Sequence, residues 1–557
     1  MAKVVKKKKG LGGGALARSS VGRVTSSLRP RPTPKLPGCM ENCPQGTNIR
    51  SVLTTIANGE KYGRTPEESY KIAWNIITEK NPLPAVCGRV CPHPCEDNCN
   101  RKEKDASVAI NNVERFIGDF GIEKGFSHEV TSEKQAEKIA VIGSGPAGLG
   151  CAFHLAKLGY AVTIFEAFSK PGGMLRYGIP AYRLPRNVLD AEIKLILDMG
   201  VELKTGCSVG NDISLADLEK EYKAVFVSIG AHQGLKLRLD GENTAGIFSG
   251  VEFLNKINDG EKIDLGKKVV VVGGGDTAID AARIALRLGS DVTILYRRTR
   301  NEMPAIEEEI DEALNEGIDI QYLAAPEQIV AEGNRIKAIK AIRMELGEPD
   351  DSGRRRPVPI EGSQFTIELD TLIAAISQEP NFKGLETLKA GPKDWIKTDE
   401  HFHVDTNIYA GGDVLNLGLV THALAHGRKA ALAIHQDFRG LSDPIEDKLP
   451  EIKAAKMRLD LYESKPRHEE SHISVEERLK ALDLEVARTL TEEALIEEAK
   501  RCMSCGYCFD CGKCWEYCQD NAIAKGEMGE IYTYKNNLCT GCKKCAEECP
   551  CGFLEMI

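Results

Sequence analysis

No stretch of this 557-residue sequence is long and apolar enough to cross a bilayer. The longest apolar runs, such as Val269–Val272, fall far short of the roughly 20 residues that a spanning helix needs. No secretory signal with an apolar centre is present either, so a cytoplasmic setting without membrane insertion is expected. The α/β portion lacks any Cys-x-x-Cys pair, since Cys151 and Cys207 stand alone, and this argues against a thiol–disulfide reductase. No Ser/His/Asp constellation stands out, so chemistry is left to cofactors, with no catalytic side chain assigned. The first 36 residues contain no acid, against ten Lys or Arg, and cannot build a core. They are read as a basic flexible arm: a solvated tail, a docking arm for an acidic partner or, with least weight, an organellar transit peptide. Removing those ten charges from a net charge of −9 leaves the remainder at −19, so docking on the chain's own body is a further option. No nucleic-acid partner is expected.

What is present is a multidomain globular composition, 42% apolar and 28% charged, with nineteen cysteines concentrated in two blocks, Cys39–Cys99 and Cys502–Cys551. In a reducing compartment such tight spacing means metal rather than disulfides. The expected class is α/β. Residues 37–130 read as a helical Fe-S domain, with amphipathic stretches at Ile49–Ala57 and Tyr70–Ile77. Residues 135–262 and 370–440 read as an FAD-binding domain, into which an NAD(P)-binding domain, 263–369, is inserted. Residues 441–500 read as a helical linker ending in a helix near Glu492, and 501–557 as a ferredoxin domain with two [4Fe-4S] clusters.

The first nucleotide signal is the strand Ile139–Ile142 running into Gly143-Ser-Gly145-Pro146-Ala147-Gly148 and a helix. The three glycines serve the tight turn, the approach of a pyrophosphate and close helix packing, with the phosphate at the helix N-terminus. Glu166, at the end of the next strand, is placed to bind ribose hydroxyls. The loop Pro171–Pro185, with Gly173, Leu175 and Arg183, is read as wrapping the flavin. From the far end Gly412 and Asp413 reach the ribityl chain, and Thr421 opens a helix whose amides face the flavin's pyrimidine edge.

The second signal is Val269–Val272 followed by Gly273-Gly-Gly275-Asp276-Thr277-Ala278, the same cradle with Ala at the third small position. Where NAD sites place an acid, this chain has Arg297-Arg298. That pair suits a ribose 2′-phosphate and favours NADPH over NADH. The alternative is two solvated arginines at a strand end.

In the tail, Cys508-x2-Cys511-x2-Cys514-x3-Cys518 and Cys539-x2-Cys542-x2-Cys545-x3-Cys549-Pro550 have the two-cluster ferredoxin spacing, twice. The fourth cysteine of each run serves the other cluster, which pairs Cys508, Cys511 and Cys514 with Cys549, and Cys539, Cys542 and Cys545 with Cys518. Zinc is the competing occupant. Cys502, Cys505 and Cys551 are left without a role. The first block supplies Cys39, Cys43, Cys87, Cys91, Cys95 and Cys99, enough for one [4Fe-4S] site with two thiols over, or for two sites with non-cysteine help.

Asn81-Pro-Leu-Pro-Ala-Val-Cys-Gly-Arg-Val-Cys-Pro-His-Pro-Cys95, the glycine loop 143–148, Gly178-Ile-Pro-Ala-Tyr-Arg-Leu-Pro185 and Tyr296-Arg-Arg-Thr-Arg-Asn-Glu-Met-Pro304 together resemble the glutamate synthase small-subunit family over residues 37–440. That resemblance implies FAD, an NADPH site and two N-terminal [4Fe-4S] clusters, with Glu114 as a non-cysteine ligand. The family's earlier Cys-x-x-Cys pair has no counterpart ahead of Cys39, which leaves the outer cluster short of ligands. The tail from Arg501 resembles that of the DsrL-type iron–sulfur flavoproteins of dissimilatory sulfite reductase systems. It implies a homodimer linking NAD(P)H to sulfite–sulfide interconversion. The alternatives are an electron-input subunit of glutamate synthase or another large redox enzyme, and a non-enzymatic electron-transfer scaffold.

Overall fold

Buried β-branched runs need neighbours on both faces, and the chain supplies them with two parallel sheets covered by helices. The computed structural model describes residues 26–350, 353–391, 394–442, 449–527 and 529–557. They fall into two units, one comprising Ser127–Leu441 with Ser471–Arg488, the other the residues up to Phe126 with Ser442–Glu470 and Thr489–Ile557.

In the first of these units, a six-stranded sheet runs in the order His403–Asp405, Ile408–Ala410, Ala224–Val227, Lys138–Ile142, Ala161–Glu166, Glu202–Thr205. All of its pairings are parallel except the outermost, between the first two strands. A five-stranded parallel sheet has Lys268–Val272 at its centre, flanked by Asp291–Tyr296 and Thr371–Ala374. The second sheet claims more chain than expected. Thr371–Ala374 is buried along its whole length and pairs Leu372 with Val270, and Ile247–Ser249 adds beyond it. The inserted domain therefore extends outward from 263–369 to the point where Gln233–Gly234 pairs with Gln378–Glu379 and the chain passes out and back. It also carries a four-stranded antiparallel sheet, Ala324–Glu332, Arg335–Pro349, Arg355–Pro359 and Phe365–Glu368, which the sequence reading did not foresee.

The expected linker 441–500 is likewise divided. Ser471–Arg488 packs on the inserted domain, where Val486 joins the hydrophobic cluster of Val271 and Ile294, and it donates its N–H to the carbonyl of Tyr182, which lies outside that domain. The helix near Glu492 forms over Glu492–Ala499, capped by Thr491.

In the other unit, Thr65 and Glu68 form a capping box ahead of Pro66–Thr78, the proline at the position where a missing N–H costs nothing. Helices Pro84–Val90 and Ile110–Glu123 cross so closely that a Cβ on Gly118 would sit 2.2 Å from the Ala85 nitrogen. The arm expected over 1–36 is tied down from Ser26 on; residues 1–25 lie outside the described residues. Pro30–Pro32 pairs antiparallel with Leu554–Met556 in a two-stranded sheet. Leu36–Pro37 pairs with Glu451–Ile452.

Glu316 shows how the inserted domain buries charge. Its carboxylate, fully buried, receives Arg283 at 2.6 Å and Arg287 at 2.7 Å. Burial works to raise its pKa, but the hydrogen bonds from Arg287 and Arg283 overcome this and hold it below the ordinary carboxylate value. Glu316→Gln leaves the buried Arg287 without its anion and Arg283 with Glu309 alone, and is expected to cost about 3 kcal/mol at neutral pH. Because the native pKa is depressed, the gap between wild type and variant should close as the pH falls through the carboxylate range. Thermal unfolding followed across pH 3–7 checks both statements.

Candidate functional site

The strand–loop–helix turn at Gly143–Gly148 ends in a helix, Pro146–Lys157, whose N-cap Gly145 offers no side-chain cap. Its first amides are therefore available to a phosphate. A Cβ built on Gly145 meets nothing within 4 Å, so the space beside it is open, whereas one on Gly148 would sit 1.9 Å from the Gly143 carbonyl oxygen. The first glycine faces a ligand and the second seats the helix. A cavity of about 370 Å³ opens here, lined by Gly143, Gly145, Pro146, Ala147, Glu166, Gly173, Gly412 and Asp413 among others. Glu166 accepts from the Ser144 N–H at 2.9 Å and the Phe168 N–H at 2.8 Å, so it braces the loop as well as facing the cavity. Burial raises the Asp413 carboxyl to about 6, against the opposing N–H of Gly418.

Other residues assigned to this site fall outside it. Leu175 is fully buried in the core, and Thr421 sits behind Val420, which does line the cavity. Arg183 is turned away, bound to Asp280 at 2.9 Å and Glu309 at 3.1 Å in a buried ion cluster that satisfies its charge. One lining residue escaped notice: His232, whose Nδ1 has no hydrogen-bond partner. No motif marks it.

The second turn repeats the design. Gly275 is the uncapped N-cap of Asp276–Arg287, and a Cβ on it would meet only Pro304 at 3.7 Å. The adjoining cavity, about 510 Å³, is lined by Gly273, Gly275, Thr277, Arg297, Arg298 and Arg354 among others. Ala278 lies in the core behind it, and Asp276 accepts from the Ile306 N–H at 3.0 Å, fastening the helix to the next loop. Arg354 was missed because it arrives on the unforeseen antiparallel sheet. The two cavities share Gln378, Asp413 and Gly418 as walls. Two dinucleotides bound by their phosphates at the two turns would bring their other ends together there.

In the other unit the cysteines gather in four groups. Cys508, Cys511 and Cys514 each lie within electrostatic reach of Cys549, and Cys545 within reach of Cys539, Cys542 and Cys518. These are the two sets paired from the spacing. The third group is Cys43, Cys91 and Cys95, with the Glu114 carboxylate facing Cys43. Burial raises Glu114 to about 7, and the Asn81 amide donates to it at 2.8 Å. Cys87 stands behind this group, its thiol 3.5 Å from Asn81 Oδ1.

The fourth group joins cysteines from both blocks. Cys39, Cys99, Cys502 and Cys505 line one small cavity, where burial first and then mutual charge repulsion push the Cys39 thiol up. Cys502 and Cys505, a Cys-x-x-Cys pair left without a role by the ferredoxin spacing, thus stand beside Cys39 and Cys99. Their spacing was the available signal. Two fully buried arginines tie these ligand loops together. Arg101 donates to Asp105 at 2.6 Å and to the Arg501 carbonyl at 2.5 Å, while Arg501 binds Asp105 at 3.1 Å and Glu498 at 2.5 Å. Among the described residues, no three His, Cys, Asp or Glu side chains close to the spacing of a single ion. Such a site needs sulfurs about 2.3 Å from one centre. A cubane keeps each thiolate on its own iron, and buried thiols that repel one another suit it.

A family model described as pyridine nucleotide-disulphide oxidoreductase matches residues 137–427, and one described as dihydropyrimidine dehydrogenase domain II, 4Fe-4S cluster, matches residues 33–126. The NADP(+)-dependent formate dehydrogenase subunit beta of Moorella thermoacetica is 37% identical over 505 residues, covering 84% of this chain and 70% of its own. The NADPH-Fe(3+) oxidoreductase subunit beta of Geobacter sulfurreducens is 35% identical over 511 residues, covering 84% and 75%. The glutamate synthase [NADPH] small chain of Escherichia coli is 34% identical over 425 residues, covering 71% and 87%. Among the described residues no helix is long and apolar enough to cross a membrane.

Gly145 has an ordinary φ of −69°, so alanine strains nothing there, yet its methyl would occupy the open space beside the helix N-terminus. Gly145→Ala is expected to fold and to carry several-fold less flavin per chain, measured by absorbance near 450 nm after denaturation.

Proposed function

The chain belongs to the pyridine nucleotide-disulphide oxidoreductase family, and on that premise we propose that it moves electrons between a nicotinamide nucleotide, one FAD and four [4Fe-4S] clusters, to or from a large redox partner. The carrying observation is the shared wall of the two nucleotide cavities at Gln378, Asp413 and Gly418. Bound FAD would exchange a hydride with the nicotinamide and pass electrons on singly. The chain's own residues bind and orient. The uncapped amides at Gly145 and Gly275 hold the phosphates, Glu166 and Asp413 face the flavin nucleotide, and Arg297 faces the nicotinamide nucleotide.

The ligand sets we assign are Cys508, Cys511, Cys514 and Cys549; Cys539, Cys542, Cys545 and Cys518; Cys43, Cys91, Cys95 and Glu114; and Cys39, Cys99, Cys502 and Cys505. Cys87 is left out as a support for Asn81.

For the partner, the tail's resemblance supports dissimilatory sulfite reductase, served by a cytoplasmic homodimer. The second reading is a formate dehydrogenase, glutamate synthase or similar enzyme, favoured by what the relatives are named for. Affinity purification from the native cell separates them: a siroheme protein supports the first, a glutaminase-containing or formate-oxidising chain the second.

Two further outcomes are expected. Purified protein reduces an artificial dye with NADPH or NADH, and failure with both refutes the electron-transfer reading. Cys502→Ser/Cys505→Ser loses about four irons per chain relative to wild type by metal analysis, the content of one cubane, although both residues lie outside the eight-cysteine ferredoxin pattern.

A further inference from the structure

Three guanidinium groups line the second nucleotide cavity, but they are held differently. Arg298 is nearly buried, and both faces of its fork are spoken for. Its Nη2 lies 2.6 Å from Asp350 Oδ2, and its Nε donates to the Arg355 carbonyl at 2.7 Å. Asp350 and Arg354 stand at the two ends of the connection between the strands Arg335–Pro349 and Arg355–Pro359 of the antiparallel sheet, and Arg355 follows Arg354 directly. That turn is closed by the Asp350 N–H on the Arg354 carbonyl at 2.8 Å. Arg297 is exposed on the cavity wall beside them. Partial burial of the guanidinium against the wall, and then the neighbouring Arg298 and Arg354, hold Arg297 below the ordinary guanidinium value. A cation cluster that repels itself at the mouth of a nucleotide cavity is stabilised by an anion placed between its members.

We propose that Arg354 and Arg297 together bind the ribose 2′-phosphate of the nicotinamide nucleotide, and that Arg298 is a positioning residue that pins the turn carrying Arg354. This rests on the cavity being the nicotinamide site. It reassigns one of the two arginines picked out by the strand-end motif and adds one that no motif indicated.

The test uses the full-length flavoprotein and two probes, 2′,5′-ADP and 5′-AMP, with binding measured by calorimetry and dye reduction by NADPH and NADH measured in parallel. Arg354→Ala and Arg297→Ala should each weaken 2′,5′-ADP roughly tenfold or more, the loss of a charged hydrogen bond, and leave 5′-AMP within about twofold. KM should rise for NADPH and stay put for NADH. Asp350→Asn discriminates the positioning role. Removing a nearby negative charge would by itself tighten an anion, whereas unpinning the turn weakens 2′,5′-ADP as Arg298→Ala does. Arg354→Ala that binds 2′,5′-ADP like wild type, or that weakens both probes alike, overturns the assignment, and tighter binding by Asp350→Asn overturns the clamp. Wild-type protein that binds neither probe and oxidises neither nucleotide overturns the nicotinamide reading itself.

Discussion

The buried ion network of Arg101, Asp105, Arg501 and Glu498 is the constraint on which the cysteine-rich unit depends. Arg101 follows Cys99 closely, and Arg501 immediately precedes Cys502, so the network fixes two ligand loops that are remote in sequence. Glu498 also accepts the Ala109 N–H at 2.7 Å and the His468 N–H at 3.0 Å, drawing in the start of Ile110–Glu123 and the segment before Ser471. Charges this deep are stable only when every one is paired, and here the paired charges come from two separate stretches of chain. The group of Cys39, Cys99, Cys502 and Cys505 is thereby shaped by ionic contacts among its neighbours.

The nucleotide-binding unit is built on a different economy. Its two helix N-termini are left uncapped, Gly145 and Gly275 keep their flanks open, and the two cavities meet at Gln378, Asp413 and Gly418. Polar groups that a stable fold would otherwise satisfy internally are reserved for ligands. Elsewhere in the same unit the opposite holds: Arg183, Arg283 and Arg287 are all committed to carboxylates. Arg183 illustrates the difference. A flavin-wrapping loop was the natural reading of its motif, yet Asp280 and Glu309 already occupy its guanidinium.

Much of this was legible from local pattern. The glycine turns, the strands Ile139–Ile142 and Val269–Val272 and the two ferredoxin sets are short-range features whose spacing carries their chemistry. What was not legible depends on pairing between distant segments. Thr371–Ala374 joins the second sheet through register with Val269–Val272, and no property of these four residues says which sheet will take them. Cys502 and Cys505 looked surplus because their partners stand at the opposite end of the sequence. Arg354 was invisible for the same reason, brought to its cavity by a sheet that periodicity did not reveal. Cys87 errs the other way: it shares the four-residue rhythm of Cys91, Cys95 and Cys99, but its thiol is turned to Asn81.

The outer cysteine site has a consequence for how the protein is made. A ribosome releases Cys39 and Cys99 long before Cys502 and Cys505 exist, so that site stays incomplete until Cys505 has been made. Cys43, Cys91, Cys95 and Glu114 are under no such delay. Cluster delivery would therefore be ordered in time, with the inner site fillable first and the outer one only once Cys502 and Cys505 have emerged. A chain truncated by premature termination would be marked by the empty outer site, with two thiols left unpaired.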